Sequence, residues 1–492
     1  MHPATDSDSA GARPCATSLA GGHVHDLPLC VDLDGTLVAT DTLLESLVAA
    51  LRSWRTVAGL PLAFAKGRYA IKSYLAARVR PDAALLPYNR ELVDWLRSER
   101  ARGRRIVLAT AAHERIAHDV SEHLGLFDDV VSTRGGENMK GAAKGAALSA
   151  RFGDGGFVYA GDHRADIAVW RRAGGAVLVA VQPAVERAVR KAVVVERSFP
   201  RRTGTFAAAA KAVRPHQWLK NLLVFVPMLT AGAYRDADAW LRAFATFLAF
   251  SLVASCIYVI NDLVDLEADR AHARKRARPF ASGRLSLSAA PVILATFAVS
   301  ALPLVMWARE TVVIATYAAV SLAYSFRLKE LPLVDIFCLA ALYTLRLIGG
   351  GVATGHPVSL WLMAFSVFLF LSLGTVKRVA ELHLHVQKGA TSIRRRGYLT
   401  SDADFLHTLG IGCGLVSALV LALYLQSDIV ASRFATPVWL WPIVAMELYW
   451  ISSVWLVTLR GKMHDDPIVF AARDRRTFVF ALLALACVAA AR

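Results

Sequence analysis

Cysteine is scarce in this chain, and its spacing indicates no chemistry. The 492 residues include six cysteines, none arranged as Cys-x-x-Cys or with the spacing of a zinc site. Four of them lie inside apolar runs, where cysteine packs as a small hydrophobic side chain; these are Cys256, Cys338, Cys413 and Cys487. We therefore assign no chemistry to the cysteines.

The first 26 residues lack the apolar core of a secretory signal peptide. They are rich in Ser, Gly, Ala, Pro and His, a composition typical of disordered segments. We expect residues 1–27 to form a disordered tail, and we expect the soluble part that follows to stay in the cytoplasm.

The chain also lacks the charge pattern of a nucleic-acid-binding protein, although its formal net charge is +17. The Lys and Arg residues of the second half cluster in short segments between apolar runs, not along one face with interleaved aromatic residues. Membrane topology explains this distribution better, because cytoplasmic loops carry an excess of basic residues. A nucleic-acid partner is therefore not expected.

Apolar residues, which make up 55% of the chain, are spread unevenly. Residues 1–200 have the composition of a soluble protein, and long apolar runs follow them. The sequence therefore predicts a multidomain protein with an all-α membrane domain. Windows long enough to cross about 30 Å of hydrocarbon predict about nine transmembrane helices, at 217–233, 240–260, 288–308, 311–326, 331–353, 358–376, 406–426, 437–459 and 477–491.

The basic residues orient these nine spans. If the soluble part is cytoplasmic, the loops on its side carry 19 Lys and Arg residues, whereas the opposite segments carry only Arg235, Arg242, Arg309 and Arg433. This bias agrees with the positive-inside rule, and a shift by one span would reverse it. We expect a multi-pass protein of the inner (cytoplasmic) membrane with a cytoplasmic N-terminal domain.

The second window ends in Asn-Asp-Leu-Val-Asp-Leu-Glu-Ala-Asp, residues 261–269. On a helix, Asp262, Asp265 and Asp269 share one face. Carboxylates so close repel one another, so the arrangement favours a cation among them, and hard oxygen ligands suit Mg²⁺ that bridges to a phosphate. The alternative is a solvated helix end just below the membrane.

A further acidic residue, Asp335, lies a few residues into the fifth window. An ionisable side chain inside an apolar run needs a partner. Lys329, a second metal ion and Arg346 are the candidate partners. The alternative is that Asp335 caps the helix.

Other loops on the cytoplasmic side carry groups suited to a polyanionic substrate. Arg and Lys commonly bind phosphate beside carboxylates that hold Mg²⁺. The candidates are Lys377, Arg378 and Glu381 at the end of the sixth window, and Asp465, Asp466 and Asp474 before the ninth.

These motifs resemble the UbiA-type intramembrane prenyltransferases, over about residues 211–492. The resemblance rests on Asn-Asp-x-x-Asp-x-x-x-Asp at 261–269, on nine spans and on a second acidic motif after the fourth span. We place the membrane domain at 213–492. Further segments resemble the decaprenyl-phosphate phosphoribosyltransferase branch; they are Arg-Pro-His-Gln-Trp-Leu-Lys-Asn at 214–221, the segment 324–335, Lys377-Arg378-x-x-Glu381 and Asp465-Asp466-Pro467.

This second resemblance implies transfer of phosphoribose from phosphoribosyl diphosphate to a polyprenyl phosphate. Asp262 and Asp265, supported by Asp269, would hold the Mg²⁺ that neutralises the departing diphosphate. The second acidic motif offers a single Asp335, whereas relatives that use aromatic acceptors have paired carboxylates. The implied substrate-binding residues are Lys220, Asn221, Asn261, Asp269, Tyr324, Lys329, Asp335, Lys377, Arg378, Glu381, Asp465, Asp466 and Asp474.

Polar motifs follow apolar runs in the first 200 residues as well. In an open α/β sheet the carboxyl ends of the strands converge on one crevice, so these motifs can meet there. They are Asp-Leu-Asp-Gly-Thr-Leu from residue 32, Thr110, Lys144 with Lys140 as its rival, and Gly161-Asp162-x-x-x-Asp166.

The set resembles the haloacid dehalogenase-like phosphohydrolases over about residues 28–185, which implies an α/β Rossmann-like fold with a helical cap. Asp32 would be the nucleophile that forms an aspartyl-phosphate, and Asp34 the acid/base for the leaving group. Thr110 and Lys144 would hold the phosphoryl oxygens. The implied Mg²⁺ ligands are Asp32, Asp34, Asp162 and Asp166.

Two further segments complete the soluble part. The insert at about 41–100 is long enough to form a cap that shuts out water and selects the substrate. Residues 186–212 are basic and contain Ala and Val, so we expect a linker that runs along the membrane surface.

The leading functional hypothesis is a bifunctional enzyme that makes polyprenylphosphoryl 5-phosphoribose and removes its 5-phosphate. Fusion would raise the local concentration of the second activity. One alternative is an aromatic prenyltransferase that uses a prenyl diphosphate. Another is a membrane transferase with a noncatalytic regulatory domain, although the retained Asp32, Asp34, Lys144 and Asp162 argue against it. The sequence leaves the oligomeric state open, and a homo-oligomer is compatible with it.

Overall fold

The computed structural model describes residues 24–135, 139–200, 205–386, 397–463, 467–471 and 473–492. The chain divides into two compact units, Met1–Thr203 and Gly204–Arg492. Most of the predicted tail at 1–27 lies outside the described residues, and Val24–Asp26 form a short 3₁₀ helix.

The first unit is built on a six-stranded parallel sheet with the strand order β3-β2-β1-β4-β5-β6. The central strand β1 is buried throughout, as expected of a parallel sheet that is covered on both faces. Its Cys30 is in register with Val107 on one side and Tyr159 on the other. The strands are β1 (Leu29–Val31), β2 (Ile106–His113), β3 (Asp129–Thr133), β4 (Val158–Gly161), β5 (Gly175–Val179) and β6 (Val195–Phe199).

Helices cover both faces of this sheet, because alternate strand residues point to opposite sides. Leu29 and Val31 pack in one core cluster with the fourth and fifth helices, whereas Cys30 packs in a second cluster with the sixth, seventh and eighth. The helices are α1 (Thr42–Ala50), α2 (Trp54–Ala65), α3 (Arg68–Arg78), α4 (Arg90–Ala101), α5 (Glu114–Leu124), α6 (Ala142–Phe152), α7 (Ile167–Trp170) and α8 (Pro183–Ala192).

The cap is shorter than the predicted insert at 41–100. Helices α1, α2 and α3 share a small core of their own, formed by Ala50, Ala63, Ile71 and Leu75. Helix α4 instead packs its apolar side chains, Leu92 and Leu96 among them, into the main core beside the sheet. Residues 42–78 are therefore the part of the predicted cap that packs apart from the sheet, since the apolar side of α4 covers the sheet.

The structure also differs from the predicted linker at 186–212. This segment contains β6, which pairs in parallel with β5 and buries Phe199. The buried Arg104 binds this edge strand through Glu196, at 2.7 and 2.9 Å, and also donates to Glu99 at 3.0 Å. The strand completes the sheet because its side chains pack and pair there, so no membrane-surface helix forms at 195–199.

The described part of the second unit is helical. Its helices are α9 (Thr205–Val213), α10 (Val226–Thr230), α11 (Ala237–Val264), α12 (Leu266–Ala271), α13 (Ala289–Trp307), α14 (Thr311–Phe326), α15 (Val334–Thr354), α16 (Leu360–Val386), α17 (Ala403–Leu425), α18 (Asp428–Arg433), α19 (Trp441–Leu459), α20 (Pro467–Ala471) and α21 (Arg475–Ala491). Residues Pro215–Phe225 form a long 3₁₀ segment before α10.

Six helical segments of the described chain are long and apolar enough to cross a membrane. They are Ala237–Val264, Ala289–Trp307, Val334–Thr354, Leu360–His383, Thr400–Leu425 and Pro437–Leu459. The predicted windows at 311–326 and 477–491 form shorter helices, α14 and α21, of 16 and 17 residues. The window at 217–233 is not one α-helix, since it is a 3₁₀ segment followed by the short α10, which has Pro227 in its first turn.

Consecutive glycines let α15 approach its neighbours closely, as small residues commonly do between membrane helices. A Cβ atom on Gly350 would overlap the backbone carbonyl of Val224, in the 3₁₀ segment. A Cβ on Gly349 would lie 2.6 Å from the ring of Phe250, on α11. The contact between α15 and the 3₁₀ segment therefore depends on the missing side chain of Gly350.

We predict that Gly350→Ala destabilises the membrane unit. The added methyl group meets backbone, which cannot move as a side-chain end can, so the cost is about 1–3 kcal/mol. Thermal unfolding of the full chain in detergent should show a lower midpoint for the membrane unit. The matched control is Gly412→Ala on α17, where a Cβ meets nothing within 4 Å. Equal midpoints for the two variants would contradict the proposed contact.

Candidate functional site

Three carboxylates of the soluble unit meet at the carboxyl ends of two adjacent strands. Asp32 follows β1, and Asp162 and Asp166 follow β4, its parallel neighbour. Each residue offers an oxygen atom that lies within 4.8 Å of the other two. The strand order thus produces the cluster that the motifs predict, although Asp34, also a predicted metal ligand, lies outside this group of three.

Lys144 of α6 is the cation of this cluster. Its Nζ lies 2.8 Å from Asp32 Oδ1 and donates to the Tyr159 hydroxyl at 2.8 Å. That hydroxyl donates in turn to Asp166 at 3.1 Å. Lys144 is 2% exposed, whereas its rival Lys140 is exposed. The structure therefore favours Lys144, and it adds Tyr159, whose place in an apolar strand gave no signal of a role.

The other motif residues lie on the same edge of the sheet. Asp34 accepts a hydrogen bond from the backbone N–H of Thr42, the first residue of cap helix α1, at 2.8 Å. Thr110 is fully buried, and its hydroxyl accepts from the Ala112 N–H at 3.0 Å. Gly35 has a φ of +77°, and a Cβ there would overlap the carboxylate of Asp162. Glycine is therefore required at position 35, where the first motif packs against Asp162.

Burial changes the acidity of these carboxyl groups. It is the main reason that the pKa of Asp34 rises to about 7, with a smaller contribution from Asp41. Burial and then the charge of Asp32 raise the pKa of Asp162 to about 8. The pKa of Asp32 is also raised, chiefly by burial, although Lys144 opposes the shift. Without a divalent cation, Asp162 therefore holds a proton at neutral pH.

The acidic motif of the second unit spans a helix break instead of one continuous helix. Helix α11 ends at Val264, Asp265 is its C-terminal cap, and α12 begins at Leu266. Arg278 joins the two sides of the break, because it pairs with Asp269 and its Nη1 lies 3.2 Å from Asp262 Oδ1. Arg214 also pairs with Asp262.

Asp265 has a different cation from the other two carboxylates. The Nζ of Lys329 lies 3.0 and 3.1 Å from its two oxygens. Lys329 is buried and belongs to the 3₁₀ turn Leu328–Glu330 after α14. The three predicted carboxylates are thus each paired with a cation, and Lys329 pairs with Asp265 and not with Asp335.

Asp335 lies in the first turn of α15 and is completely buried. Its partner is Arg378 of α16, whose side chain is also 0% exposed, with Nη2 at 2.6 Å from Asp335 Oδ2. The Tyr398 hydroxyl donates to the other oxygen at 2.6 Å. The candidate partners of Asp335 from the sequence were Lys329, Arg346 and a second metal ion. The structure instead pairs Asp335 with Arg378. Arg378 also pairs with Glu381.

The other predicted substrate-binding residues are distributed over several elements. Asn221 donates to Ser251 at 2.9 Å, and the neighbouring Lys220 lies 5.7 Å from the ring centroid of Tyr343. Asp474 is the N-terminal cap of α21, where it accepts from the Arg476 N–H at 3.4 Å. The remaining positions are Asn261, Tyr324 and Lys377, all half-buried, and Asp465 and Asp466, which lie outside the described residues.

Sequence reasoning did not identify Arg278 or Tyr398 as site residues, and it used Arg214 only as part of a motif. The basic loop that contains Arg278 follows the acidic motif directly, so its charge was a signal that could have found it. Tyr398 had no such signal, because only the fold brings it to Asp335.

Comparison with protein families gives two matches. The model of the UbiA prenyltransferase family matches residues 222–472, and that of the haloacid dehalogenase-like hydrolases matches residues 29–171. The range matched by the UbiA family contains the acidic motif, Lys329, Asp335 and Arg378. The range matched by the haloacid dehalogenase-like hydrolases contains Asp32, Lys144 and Asp162.

Three individual proteins are similar to this chain. The uncharacterized protein y4nM of Sinorhizobium fredii is 39% identical over 94% of this chain and 91% of its own length. Nodulation protein NoeC of Azorhizobium caulinodans is 36% identical over 56% of this chain and 90% of its own length. Decaprenyl-phosphate phosphoribosyltransferase of Mycobacterium tuberculosis is 34% identical over 58% and 92%, respectively.

The six apolar helices of the described residues make this an integral membrane protein, and its first unit has the parallel sheet and helices of a haloacid dehalogenase-like domain. The acidic motif and its paired cations lie within the matched part of the second unit. The chain belongs to the UbiA prenyltransferase family and carries a haloacid dehalogenase-like domain before its membrane domain.

Proposed function

We propose that the membrane domain transfers 5-phosphoribose from phosphoribosyl diphosphate to a polyprenyl phosphate. The observation that carries this proposal is the similarity to the M. tuberculosis decaprenyl-phosphate phosphoribosyltransferase over almost the whole of that protein. The single Asp335, paired with Arg378 instead of a second carboxylate, also distinguishes this site from the paired carboxylates expected for an aromatic acceptor.

The acidic motif has oxygen atoms that fit a magnesium ion. Asn261 Oδ1 and Asp262 Oδ2 are buried and have no hydrogen-bond partner among the described residues. Hard oxygen donors of this kind are the usual ligands of Mg²⁺. Asp262 and Asp265, with Asp269 in support, would hold the ion, which when bound stabilises the negative charge of a departing diphosphate.

The cations that pair with these carboxylates have a second use in the proposed reaction. Arg214, Arg278 and Lys329 neutralise the carboxylates in the absence of substrate. When the carboxylates become metal ligands, the guanidinium and ammonium groups are free to donate to phosphate oxygens. The acceptor phosphate is already an anion, so the site needs no strong general base.

We propose that the soluble domain removes a phosphate, with the 5-phosphate of the lipid product as its substrate. Asp32 attacks the phosphorus, the bond to the ribose oxygen breaks, and Asp34 donates a proton to that oxygen. Asp34 then takes a proton from a water molecule, which attacks the aspartyl-phosphate, releases phosphate and regenerates Asp32. The raised pKa of Asp34, about 7, suits a group that must hold this proton at neutral pH. Asp32, Asp162 and Asp166 form the cluster that would hold Mg²⁺.

The membrane arrangement is also a proposal. The 3₁₀ segment with α10, together with α14 and α21, would add three crossings to the six long segments and give nine. The excess of basic residues in alternate loops then supports a protein of the inner membrane whose soluble domain lies in the cytoplasm. Both activities would act on the same side, where fusion raises their effective concentration.

We predict that diphosphate release requires phosphoribosyl diphosphate and a polyprenyl phosphate together. Purified full-length protein should release little diphosphate from a prenyl diphosphate with an aromatic acceptor. Asp262→Asn should lower the rate by about a hundredfold or more, since it removes a charge that stabilises the leaving group. Asp238→Asn, on the exposed start of the same helix, is the matched control and should leave the rate unchanged. A preference for the prenyl diphosphate would contradict the proposal.

We predict that the lipid product loses its 5-phosphate only when Asp32 is intact. With labelled phosphoribosyl diphosphate, the wild-type chain should yield a dephosphorylated lipid, and Asp32→Asn should accumulate the phosphorylated one, because no aspartyl-phosphate can form. Asp154→Asn, an exposed carboxylate of the same domain, is the control. If Asp32→Asn yields the same product as wild type, the proposed coupling is wrong.

We predict that the metal-free soluble domain becomes less stable as the pH rises towards about 8. Folding raises the pKa of Asp162 from 3.8 to about 8. Between these two pH values the folded state binds a proton that the unfolded state does not, so the free energy of unfolding falls as the pH rises from the lower value to the higher. Hydrogen exchange of the β4 amides, corrected for intrinsic rates, measures the effect in the full chain. Mg²⁺ should restore protection at high pH. An Asp162→Asn variant with the same pH dependence as wild type would contradict this assignment.

A further inference from the structure

Helix α2 of the cap has an apolar face that is exposed. Trp54 and Leu62 are 76% and 64% exposed. Ala58, Pro61 and Ala65 are exposed as well. These five positions follow the spacing i, i+4, i+7, i+8 and i+11, which places them along one side of a helix. The helix therefore presents a continuous apolar stripe, and exposed apolar patches commonly mark interaction sites.

The other side of α2 is fixed to the rest of the cap. Ala63 is buried in the small core that α1, α2 and α3 share, and Leu60 packs against that core. The Tyr74 hydroxyl of α3 donates to the backbone carbonyl of Thr56 at 2.9 Å. A Cβ atom on Gly59 would overlap the Tyr74 side chain, so α2 and α3 lie in close contact. The cap core is therefore built without the apolar stripe.

The segment around α2 is strongly basic. Residues 46–81 contain seven Lys and Arg residues and no Asp or Glu. Two of the basic residues, Arg55 and Lys66, lie at opposite ends of α2 and are exposed. The Arg55 guanidinium also lies over the Trp54 ring, 5.7 Å from its centroid. An apolar stripe with Trp and Leu beside Lys and Arg is typical of a helix that lies in the interface of a membrane.

A bilayer matches this surface better than other partners do. A second copy of the chain that docked through the same face would bring like charges together, which costs free energy. A nucleic acid would match the charge but not the apolar side chains. Tryptophan is enriched where membrane meets water, and anionic lipids attract basic residues there. Since the second unit crosses a membrane, the chain also tethers the first unit to a bilayer.

We infer that the apolar stripe of α2 and the basic residues around it bind the surface of a bilayer that contains anionic phospholipid. The stripe enters the interfacial region, and Arg55 and Lys66 contact lipid phosphates. The inference goes beyond the proposed activities and needs neither of them, because the chemistry of the surface selects the partner. For the proposed phosphatase, this contact keeps the cap beside the membrane that holds its lipid substrate. The cap also reaches the first acidic motif, since the Thr42 N–H donates to Asp34.

The test is photocrosslinking of the full-length protein in nanodiscs of phosphatidylcholine and phosphatidylglycerol in equal amounts. A photoreactive benzoylphenylalanine replaces Ala58, on the stripe, or the matched control Ala150, an exposed alanine of α6. Mass spectrometry identifies what the probe has bound. We expect a lipid adduct at position 58 with a yield about fivefold or more above that at position 150. Nanodiscs of phosphatidylcholine alone should lower the yield at position 58.

Charge reversal tests the basic residues. Arg55→Glu together with Lys66→Glu should lower the lipid adduct at position 58 by about fivefold or more, because attraction to the anionic lipid becomes repulsion. The matched control is Arg171→Glu together with Lys191→Glu, at two exposed basic positions of the first unit outside the cap. This control should leave the yield unchanged.

A further variant tests the apolar stripe without changing any charge. Trp54→Ser removes the largest apolar side chain of the stripe and should also lower the lipid adduct at position 58. Because Trp54 is exposed, its loss should not unfold the first unit. Hydrogen exchange of the β1 amides at the wild-type rate shows that each variant is folded.

Other outcomes overturn the inference. Equal lipid adducts at positions 58 and 150 would mean that the stripe has no preference for the bilayer. An adduct between two copies of the chain would make the stripe a protein interface, and an adduct within one chain would mean that another segment covers it. Equal yields with and without phosphatidylglycerol would contradict the role of charge. Each of these results leaves the proposed transferase and phosphatase activities standing.

Discussion

Ion pairing of buried carboxylates is the constraint on which both candidate sites depend. Lys144 neutralises Asp32 in the soluble unit, and Arg278, Lys329 and others neutralise the acidic motif of the membrane unit. The pairs of Asp32 with Lys144 and of Asp265 with Lys329 join segments that are distant in sequence, so the charges also fix how those segments meet. Removal of one member would leave a buried charge, which costs about 3–5 kcal/mol. The arrangement is therefore tightly held.

Much of this architecture could be predicted from the sequence. The acidic motifs of the first unit follow buried strands, and a parallel sheet must bring such strand ends together, as Asp32 and Asp162 show. Long apolar windows likewise predicted the six long segments. The carboxylate positions were visible because acidic residues beside apolar runs need an explanation.

Other features depend on packing that no local pattern records. The extent of the cap was missed because α4 has the periodicity of any amphipathic helix, and only its contacts assign it to the sheet. The strand β6 was missed because its alternation is short and its pairing with β5 is nonlocal. The partner of Asp335 was one of several cations in the sequence, and the fold selects Arg378.

The central claim is that the acidic motif exchanges its internal cations for a divalent metal when a diphosphate binds. Equilibrium dialysis with Mn²⁺ tests it most directly, in a chain that carries Asp32→Asn and Asp162→Asn to remove the soluble site. The account predicts that phosphoribosyl diphosphate increases the Mn²⁺ bound to the protein, and that a further Asp262→Asn substitution abolishes this increase. Bound Mn²⁺ that is unaffected by Asp262→Asn would contradict the account.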